Sequence, residues 1–356
     1  SRPRRFGKSM ALNMLAAYYS RGCDSAELFA GLRAENDSAF KKNLNRYDVV
    51  TLNMQQFLIG KKDQSVTEYL EQEVLEELLE EYGDYIKKTD IRLADALRKI
   101  YAKTGKEFVF LIDEWDCVMR ERQYAEDLQK QYLDFLRDLL KDQPYVALAY
   151  MTGILPVKKY GQHSALNMFW EYSMTGQMDF EEYTGFTESE TEALCARYHM
   201  DFAQAGNWYD GYRFRHFQHV YNPRSVVAAM KCGYFGSFWT STETYEALKI
   251  YMEMDFDGLR RDVIGMLGGG SVRVNTRSFQ NDMRTFRTKD DVLTLLIHLG
   301  YLGYDAETEE AFIPNKEIMG EFENAMSVGG WSEVMRVLKA SEKLLEDTLR
   351  GDEKSV

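Results

Sequence analysis

Arg-Pro-Arg-Arg-Phe-Gly-Lys-Ser, residues 2–9, is the stretch that decides the fold predicted for this chain. A loop that binds the β- and γ-phosphates of a nucleotide needs inward-pointing backbone N–H groups, a helix N-terminus behind the phosphates and a lysine above them. Gly7, Lys8 and Ser9 supply this pattern ahead of a predicted helix. The usual motif, G-x-x-x-x-G-K-[ST], has a first glycine where Arg2 stands here.

The residues around this motif are those we expect to bind the cofactors ATP and Mg²⁺. Lys8 is predicted to act on the phosphates both in binding and in catalysis, and the Ser9 hydroxyl is predicted to be a Mg²⁺ ligand. Arg4 and Arg5 either touch the nucleotide or have a structural role, and the sequence leaves both open. The predicted cofactor-binding residues are Arg4, Arg5, Phe6, Gly7, Lys8, Ser9 and Met10.

A second signal is the apolar run FVFLIDE, residues 108–114, which predicts a buried strand with two carboxylates at its tip. Ligands of open α/β sheets bind at the carboxyl ends of the strands. Asp113 is therefore predicted to hold Mg²⁺, and Glu114 to deprotonate the attacking water. The alternative is an acidic N-cap pair for the next helix. Asp116 is predicted to be structural and to cap that helix.

The next predicted strand, 145–151, ends at Thr152. Its hydroxyl is a candidate contact to the γ-phosphate or the attacking water, and a simple strand-end turn with Gly153 is the alternative. Lys158, just beyond, is a candidate to stabilise charge in the transition state. A solvated basic turn is the alternative for Lys158 and its neighbour Lys159.

Strands alternating with helices predict the fold class α/β, a P-loop NTPase parallel sheet flanked by helices. A phosphate-binding loop follows a strand, so we expect that strand upstream of Ser1. Beyond about residue 186 the pattern is mostly helical, with a capping box at Thr187 and Glu190 and a break at glycines 265 and 268–270. The predicted domains are 1–184, the P-loop core; 185–330, a mainly helical lid; and 331–356, a helical linker.

Bulk composition limits the function classes. The 356 residues carry a formal net charge of −13, which disfavours a general nucleic-acid binder because phosphate contact needs clustered Lys and Arg. A basic loop at 157–160 and the segment 213–219 leave a local nucleic-acid site open. His216 and His219 lack a partner set for a metal in the sequence around them. No apolar run is long enough for a membrane helix, and the cytoplasm is the expected location.

Several motifs together resemble the bacterial AAA-ATPase-like proteins, including the replacement of the first glycine of the phosphate loop. The matching segments are RPRRFGKSM (2–10), FLIDEWD (110–116), TGILPVKKYGQHSALNMF (152–169), GFTESE (185–190), WYDGYRF (208–214), YNPRSV (221–226), HLGYLGYD (298–305) and IPN (313–315). The resemblance implies an ATPase core with a helical lid. It also implies a downstream PD-(D/E)xK nuclease-like domain that we expect to lie beyond this sequence.

Three functions follow as hypotheses. The first is a Mg²⁺-dependent ATPase that couples ATP binding and hydrolysis to a conformational change. The second is a non-catalytic nucleotide-binding module that regulates a nuclease-like effector, and the third is a nucleic-acid-binding adaptor. A homo-oligomer is an open alternative for the assembly.

Overall fold

The computed structural model describes residues 1–60, 65–89, 92–122, 125–157, 166–176, 180–239, 248, 256, 258–279 and 286–328. These fall into two compact units. The described first unit comprises Ser1–Arg2 and residues from Gly7 to Tyr172, and the second comprises Pro3–Phe6, residues from Ser173 to Phe279, and 286–328. The main segment of the first unit ends at Tyr172, and that of the second unit begins at Ser173. The domain boundary expected at 184/185 stays a prediction. The predicted linker 331–356 lies outside the described residues.

The first unit is built on a three-stranded parallel sheet. Its strands are β1 (Asp48–Asn53), β2 (Phe108–Asp113) and β3 (Val146–Met151), and they lie in the order β1-β2-β3. Both pairings are parallel, which confirms the predicted sheet. Every residue of β2 is buried. That is the burial of a central strand covered on both faces, and the uninterrupted apolar run reflects it.

Helices cover both faces of this sheet. Alternate residues of β2 point to opposite faces. Phe110 and Ile112 join the larger apolar cluster, whereas Val109 and Leu111 pack with Leu12. The helices of the unit are α1 (Lys8–Tyr19), α2 (Phe40–Asn43), α3 (Met54–Gly60), α4 (Val66–Tyr82), α5 (Leu93–Thr104), α6 (Cys117–Glu121) and α7 (Glu126–Leu140), with 3-10 turns at Ala26–Phe29 and Arg33–Asn36. Because Leu12 is one turn along α1 from Lys8, packing on β2 positions the start of that helix.

The second unit is mainly helical, as expected. Its helices are α8 (Glu188–Tyr198), α9 (Phe202–Tyr209), α10 (Pro223–Cys232), α11 (Leu259–Leu267), α12 (Lys289–Leu299) and α13 (Lys316–Val328), with a 3-10 turn at Glu181–Tyr183. Strands β4 (Phe186–Thr187) and β5 (Val220–Tyr221) pair antiparallel. Strands β6 (Val272–Arg273), β7 (Gly303–Asp305) and β8 (Glu310–Phe312) form an antiparallel sheet in the order β6-β8-β7.

Two local predictions in this unit have different outcomes. The capping box is confirmed, because Thr187 accepts a hydrogen bond from Glu190 N while the Glu190 carboxylate reaches back to Thr187 N. The break expected at Gly265 is wrong, because this residue lies inside α11, whereas the break expected at 268–270 is confirmed, because α11 ends at Leu267 with Gly268 as its C-cap. An interior glycine costs a helix only about 1 kcal/mol. Burial of Val263 and Met266 on either side of it offsets that cost.

Candidate phosphate-binding and catalytic site

The first helix begins where the phosphate loop was predicted. Gly7 precedes α1 with φ +83°, and a side chain is strained in that conformation even though nothing lies within 4 Å of the Cβ position. Its carbonyl accepts the first helical hydrogen bond, from Ala11 N at 2.9 Å. The first turn of α1 holds no acidic residue. The partial positive charge of the helix N-terminus is therefore left for a ligand rather than for a capping carboxylate.

Lys8 is the first residue of α1 and is only 7% exposed. Burial lowers the pKa of its ammonium to about 8, and the negative charges of Glu114, Asp116 and Asp113 oppose that shift. The lysine at the helix start thus lies within electrostatic reach of the carboxylates that follow β2. The structure brings these residues together, although their sequence positions are about a hundred residues apart.

Asp113 lies at the end of β2 and is 6% exposed. Its Oδ1 accepts hydrogen bonds from Glu114 N at 3.0 Å and from the Thr152 hydroxyl. Thr152 is itself fixed by the sheet, because its N–H donates to Ile112 O at 2.8 Å and its carbonyl accepts from Trp115 N at 3.0 Å. The sequence predicts that the Thr152 hydroxyl contacts the γ-phosphate or the attacking water. In the structure this hydroxyl donates to Asp113 and orients its carboxylate.

Glu114 follows Asp113 with φ +52°, in the left-handed region that non-glycine residues rarely adopt. Its side chain is 21% exposed, and Arg120 Nη2 donates to its Oε2. Burial raises the pKa of the Glu114 carboxyl, while the charges of Arg120 and Lys8 act in the opposite direction. A carboxylate with these properties suits a general base, since its pKa is moved toward neutral pH.

The prediction that the Asp116 side chain caps the next helix is wrong. Asp116 holds the N-cap position of α6, yet its carboxylate makes no capping bond there. Its Oδ2 instead accepts hydrogen bonds from Ile154 N at 3.1 Å and Leu155 N at 2.8 Å. The competing partner is the backbone after β3, which the sheet brings alongside. Among the described residues none donates to Asp116 Oδ1, although the side chain is fully buried.

Arg120 is a site residue that the sequence reading missed. Its side chain is 7% exposed and forms ion pairs with Glu114 and with Asp116, the latter through Nε at 3.2 Å. The available signal was the spacing of Asp116 and Arg120, which are four residues apart on a helix that follows the acidic strand.

The other residues predicted to bind nucleotide have mixed positions. Ser9 is exposed and Met10 is 70% exposed at the start of α1. Arg4 is half-buried at a turn. Phe6 is 1% exposed, and its ring packs edge-on against Tyr212 with centroids 4.9 Å apart, inside the second unit.

Arg5 also packs within the second unit. It has φ +72°, and its guanidinium carbon lies 5.6 Å from the centroid of the Trp239 ring. This contact favours the structural alternative for Arg5. Lys158 and Lys159 lie outside the described residues, so their roles stay predictions.

The oxygen donors present fit Mg²⁺. The Asp113 carboxylate and the Ser9 hydroxyl are hard ligands, and a Mg²⁺ site in a nucleotide enzyme needs only one or two protein oxygens besides phosphates and waters. Within the described part of the chain no group of three or more His, Cys, Asp or Glu side chains forms a metal cage. His219 pairs instead with Asp210, Nδ1 to Oδ2 at 2.6 Å.

Fold and site together define a class. A parallel sheet covered by helices, with a GKS helix start whose buried lysine faces two carboxylates after the central strand, is the architecture of an α/β protein of the P-loop type.

Comparison with known proteins agrees with this class. Residues 1–162 are similar to the family model named AAA-ATPase-like and described as "Predicted AAA-ATPase". The match covers 162 of the 356 residues, which is less than half of the chain.

One curated relative and one solved structure are similar to the chain. An uncharacterised protein from the vnfD 5′ region of Azotobacter chroococcum mcd 1 is 25% identical over 250 residues, which cover 68% of this chain and 47% of that protein. The chain thus spans about half the length of this relative. A Walker-type ATPase of Pyrococcus abyssi has a TM-score of 0.37 and 12% identity, over 82% of this chain and 89% of that one.

One feature bears on the predicted absence of a membrane partner. Among the helices of the described residues, none combines the length and the apolar character that crossing a bilayer requires. The cytoplasmic location stays a prediction.

Proposed function

We propose that this chain binds ATP together with Mg²⁺ and hydrolyses it to ADP and phosphate. The observation that carries the proposal is the grouping of Lys8, at the start of α1, with Asp113 and Glu114 after the central strand. A triphosphate needs positive charge from a lysine and a helix N-terminus, and hydrolysis needs a base for water. In this proposal the start of α1 supplies the positive charge and the residues after β2 supply the base, both at the same edge of the sheet.

Each residue then has a distinct task. Lys8 and the N–H groups at the start of α1 bind the phosphates, and Ser9 and Asp113 would hold Mg²⁺. The bound cation supplies neutralisation of the charge on the β- and γ-phosphates. Glu114 orients a water and accepts its proton as the water oxygen attacks the γ-phosphorus. Thr152 holds the Asp113 carboxylate in place, and Lys158 stays a candidate for charge stabilisation.

We further propose that nucleotide binding is coupled to a conformational change. Phe6, whose ring packs against Tyr212, is joined to Gly7 by a single peptide bond. Phosphate binding that alters the backbone at Gly7 would therefore change the constraints on Phe6. The partner that receives this signal would be the nuclease-like domain that the family resemblance implies.

The non-catalytic module is the second candidate. Every residue proposed to bind ATP serves that module equally well, and Glu114 is the residue that separates the two. A carboxylate directly after Asp113, held by Arg120, favours the enzyme, because hydrolysis needs a base for the water and binding alone does not.

The described part of the second unit does not favour the nucleic-acid adaptor. A helix that reads DNA enters the major groove and needs an exposed face for it. Here α12 is buried from Asp291 to His298, so it has no free face for a groove. The turn between β7 and β8 contains Glu307 and Glu309, which oppose a phosphate backbone.

The test compares ATP binding and phosphate release in the full-length protein and its variants. Lys8→Ala should weaken ATP binding by about 100-fold, since a charged hydrogen-bond partner is lost. Glu114→Gln should keep the ATP affinity and slow phosphate release by about 10²- to 10⁴-fold, the usual contribution of a general base.

Two exposed residues provide matched controls: Lys42→Ala on α2, and Glu107→Gln at the opposite end of strand β2. Both should behave like the parent protein. Tight ATP binding by Lys8→Ala would overturn the site. Tight binding with no turnover in the parent protein would favour the non-catalytic module.

A further inference from the structure

A buried guanidinium lies between two of the carboxylates that follow β2. Arg120 Nη2 donates to Glu114 Oε2, and its Nε donates to Asp116 Oδ2 at 3.2 Å. With its side chain 7% exposed, the arginine is held out of water, where an ion pair is screened little by salt. An exposed ion pair contributes little to stability. The largely buried pair between Arg120 and Glu114 is instead able to fix the direction of the Glu114 side chain.

The arginine is itself anchored. Asp116 Oδ2, which accepts from Arg120, also accepts from Ile154 N and Leu155 N in the segment that follows Thr152. Asp116 is fully buried. The chain of contacts therefore runs from the backbone after β3 through Asp116 and Arg120 to the carboxylate of Glu114.

We propose that Arg120, held by Asp116, is a positioning residue that fixes the Glu114 carboxylate for its work on the attacking water. The proposal rests on the function proposed above and names a residue that this function does not require. By engaging Oε2, Arg120 leaves Oε1 to accept the proton of the water. It acts through Glu114 and has no contact with substrate in this role.

The experiment uses Arg120→Gln and Arg120→Lys, with Arg122→Ala as the matched control at the exposed C-terminal end of α6. Two quantities are measured for each protein: the ATP dissociation constant and the rate of phosphate release at saturating ATP. A loss of rate at unchanged ATP affinity separates a positioning role from a general loss of structure.

Arg120→Gln should lower the rate of phosphate release by about tenfold or more, as loss of an orienting partner does, with little change in ATP affinity. Arg120→Lys keeps the charge but cannot span both carboxylates, so its rate of phosphate release should recover in part. This variant keeps the test open if Arg120→Gln does not fold.

Two outcomes would overturn the proposal in different ways. An unchanged rate of phosphate release in both Arg120 variants, while Glu114→Gln abolishes turnover, would remove the role of Arg120 and leave the proposed function standing. Full turnover by Glu114→Gln would overturn both. A faster rate in Arg120→Gln would mean that the arginine restrains Glu114, which also contradicts the proposal.

Discussion

Two buried acidic sites in this chain are balanced in different ways. In the second unit Glu317 is 1% exposed, and its carboxylate accepts hydrogen bonds from Ser225 Oγ at 2.8 Å and from Phe238 N and Trp239 N at 2.7 and 2.9 Å. In the first unit Asp113, Glu114 and Asp116 lie near two basic side chains, Arg120 and Lys8.

The difference separates a structural acid from a group of acids proposed to be functional. Hydrogen-bond donors of the chain reach both oxygens of Glu317, and the carboxylate ties helix α10 and the segment at 238–239 to α13. Glu114 and Asp116 instead form ion pairs with Arg120, and Asp116 Oδ1 has no hydrogen-bond donor within the described ranges. Buried charge is costly unless it is paired or serves a ligand or a reaction, so the opposite charges around these acids, rather than burial alone, distinguish the site.

The largest expected effect tests this comparison directly. Glu317→Gln should lower the free energy of unfolding by about 2 kcal/mol, because the buried donors from Ser225 and two backbone amides exchange a carboxyl group for a weaker amide acceptor. Burial raises the pKa of Glu317 to about 7, so the stability of the parent itself falls as the pH rises toward 7, and the loss caused by Gln should shrink over that range. Glu114→Gln should change it by less than about 1 kcal/mol, since Arg120 keeps its pair with Asp116. Urea denaturation of both variants measures the contrast. Equal losses would break the distinction between the two sites.

The next effect concerns the bond that orients Asp113. Thr152→Val keeps the shape of the side chain and removes the hydroxyl that donates to Asp113, so stability should fall by about 2 kcal/mol. Phosphate release should slow as well, because Asp113, the proposed Mg²⁺ ligand, loses one of the two hydrogen bonds that orient it. Thr152→Ser restores a hydroxyl and serves as the control for both readouts. A Val variant as active and stable as the parent would show that the hydrogen bond has no role.

A substitution outside both acidic sites shows how a loss of stability elsewhere in the chain affects ATP binding. Thr187→Ala removes the capping bond at the start of α8 and should cost about 1 kcal/mol of stability, as loss of an N-cap does. ATP affinity should not change. Thr187→Ser keeps the cap and should match the parent in thermal unfolding. A change in ATP affinity for Thr187→Ala would mean that any loss of stability in the second unit affects binding.

The smallest expected effect is the uptake of a proton by the protein when ATP binds. The pKa of Lys8 is lowered to about 8 by burial, and the phosphates of bound ATP should raise it. Near pH 8, binding should therefore take up about half a proton, and near pH 6.5 almost none, because Lys8 is already charged there. Calorimetry in buffers of different ionisation enthalpy measures the uptake. Lys8→Ala is the control, and uptake that persists in it would assign the proton to another group.

Much of the first unit could be predicted from local patterns. The run from Phe108 to Asp113 is apolar throughout because its strand is covered on both faces, and a carboxylate at its tip follows from the polarity of the sheet edge. Gly7 and Lys8 predicted a helix start, and α1 begins there. These features depend on residues that are close in sequence, so a single stretch contains the information.

The contacts that the sequence did not predict share a different cause. Asp116 has the sequence position of a helix cap, yet it bonds to Ile154 N, which is 38 residues away. The ring of Phe6 packs on Tyr212, a residue distant in sequence, and its predicted place in the phosphate loop stays a prediction. In both cases the tertiary fold supplied a side-chain partner that no periodic pattern records.

The amino-acid sequence by itself determined the parallel sheet, the helix that starts after Gly7, and the acids that end the central strand, because backbone periodicity and turn chemistry act over a few residues. Only the tertiary structure decided which of those acids are paired. Hydrogen bonds and ion pairs act over a few ångströms in space, so the register of β2 and β3 and the direction of α6 placed Thr152, Asp116 and Arg120 around Asp113 and Glu114.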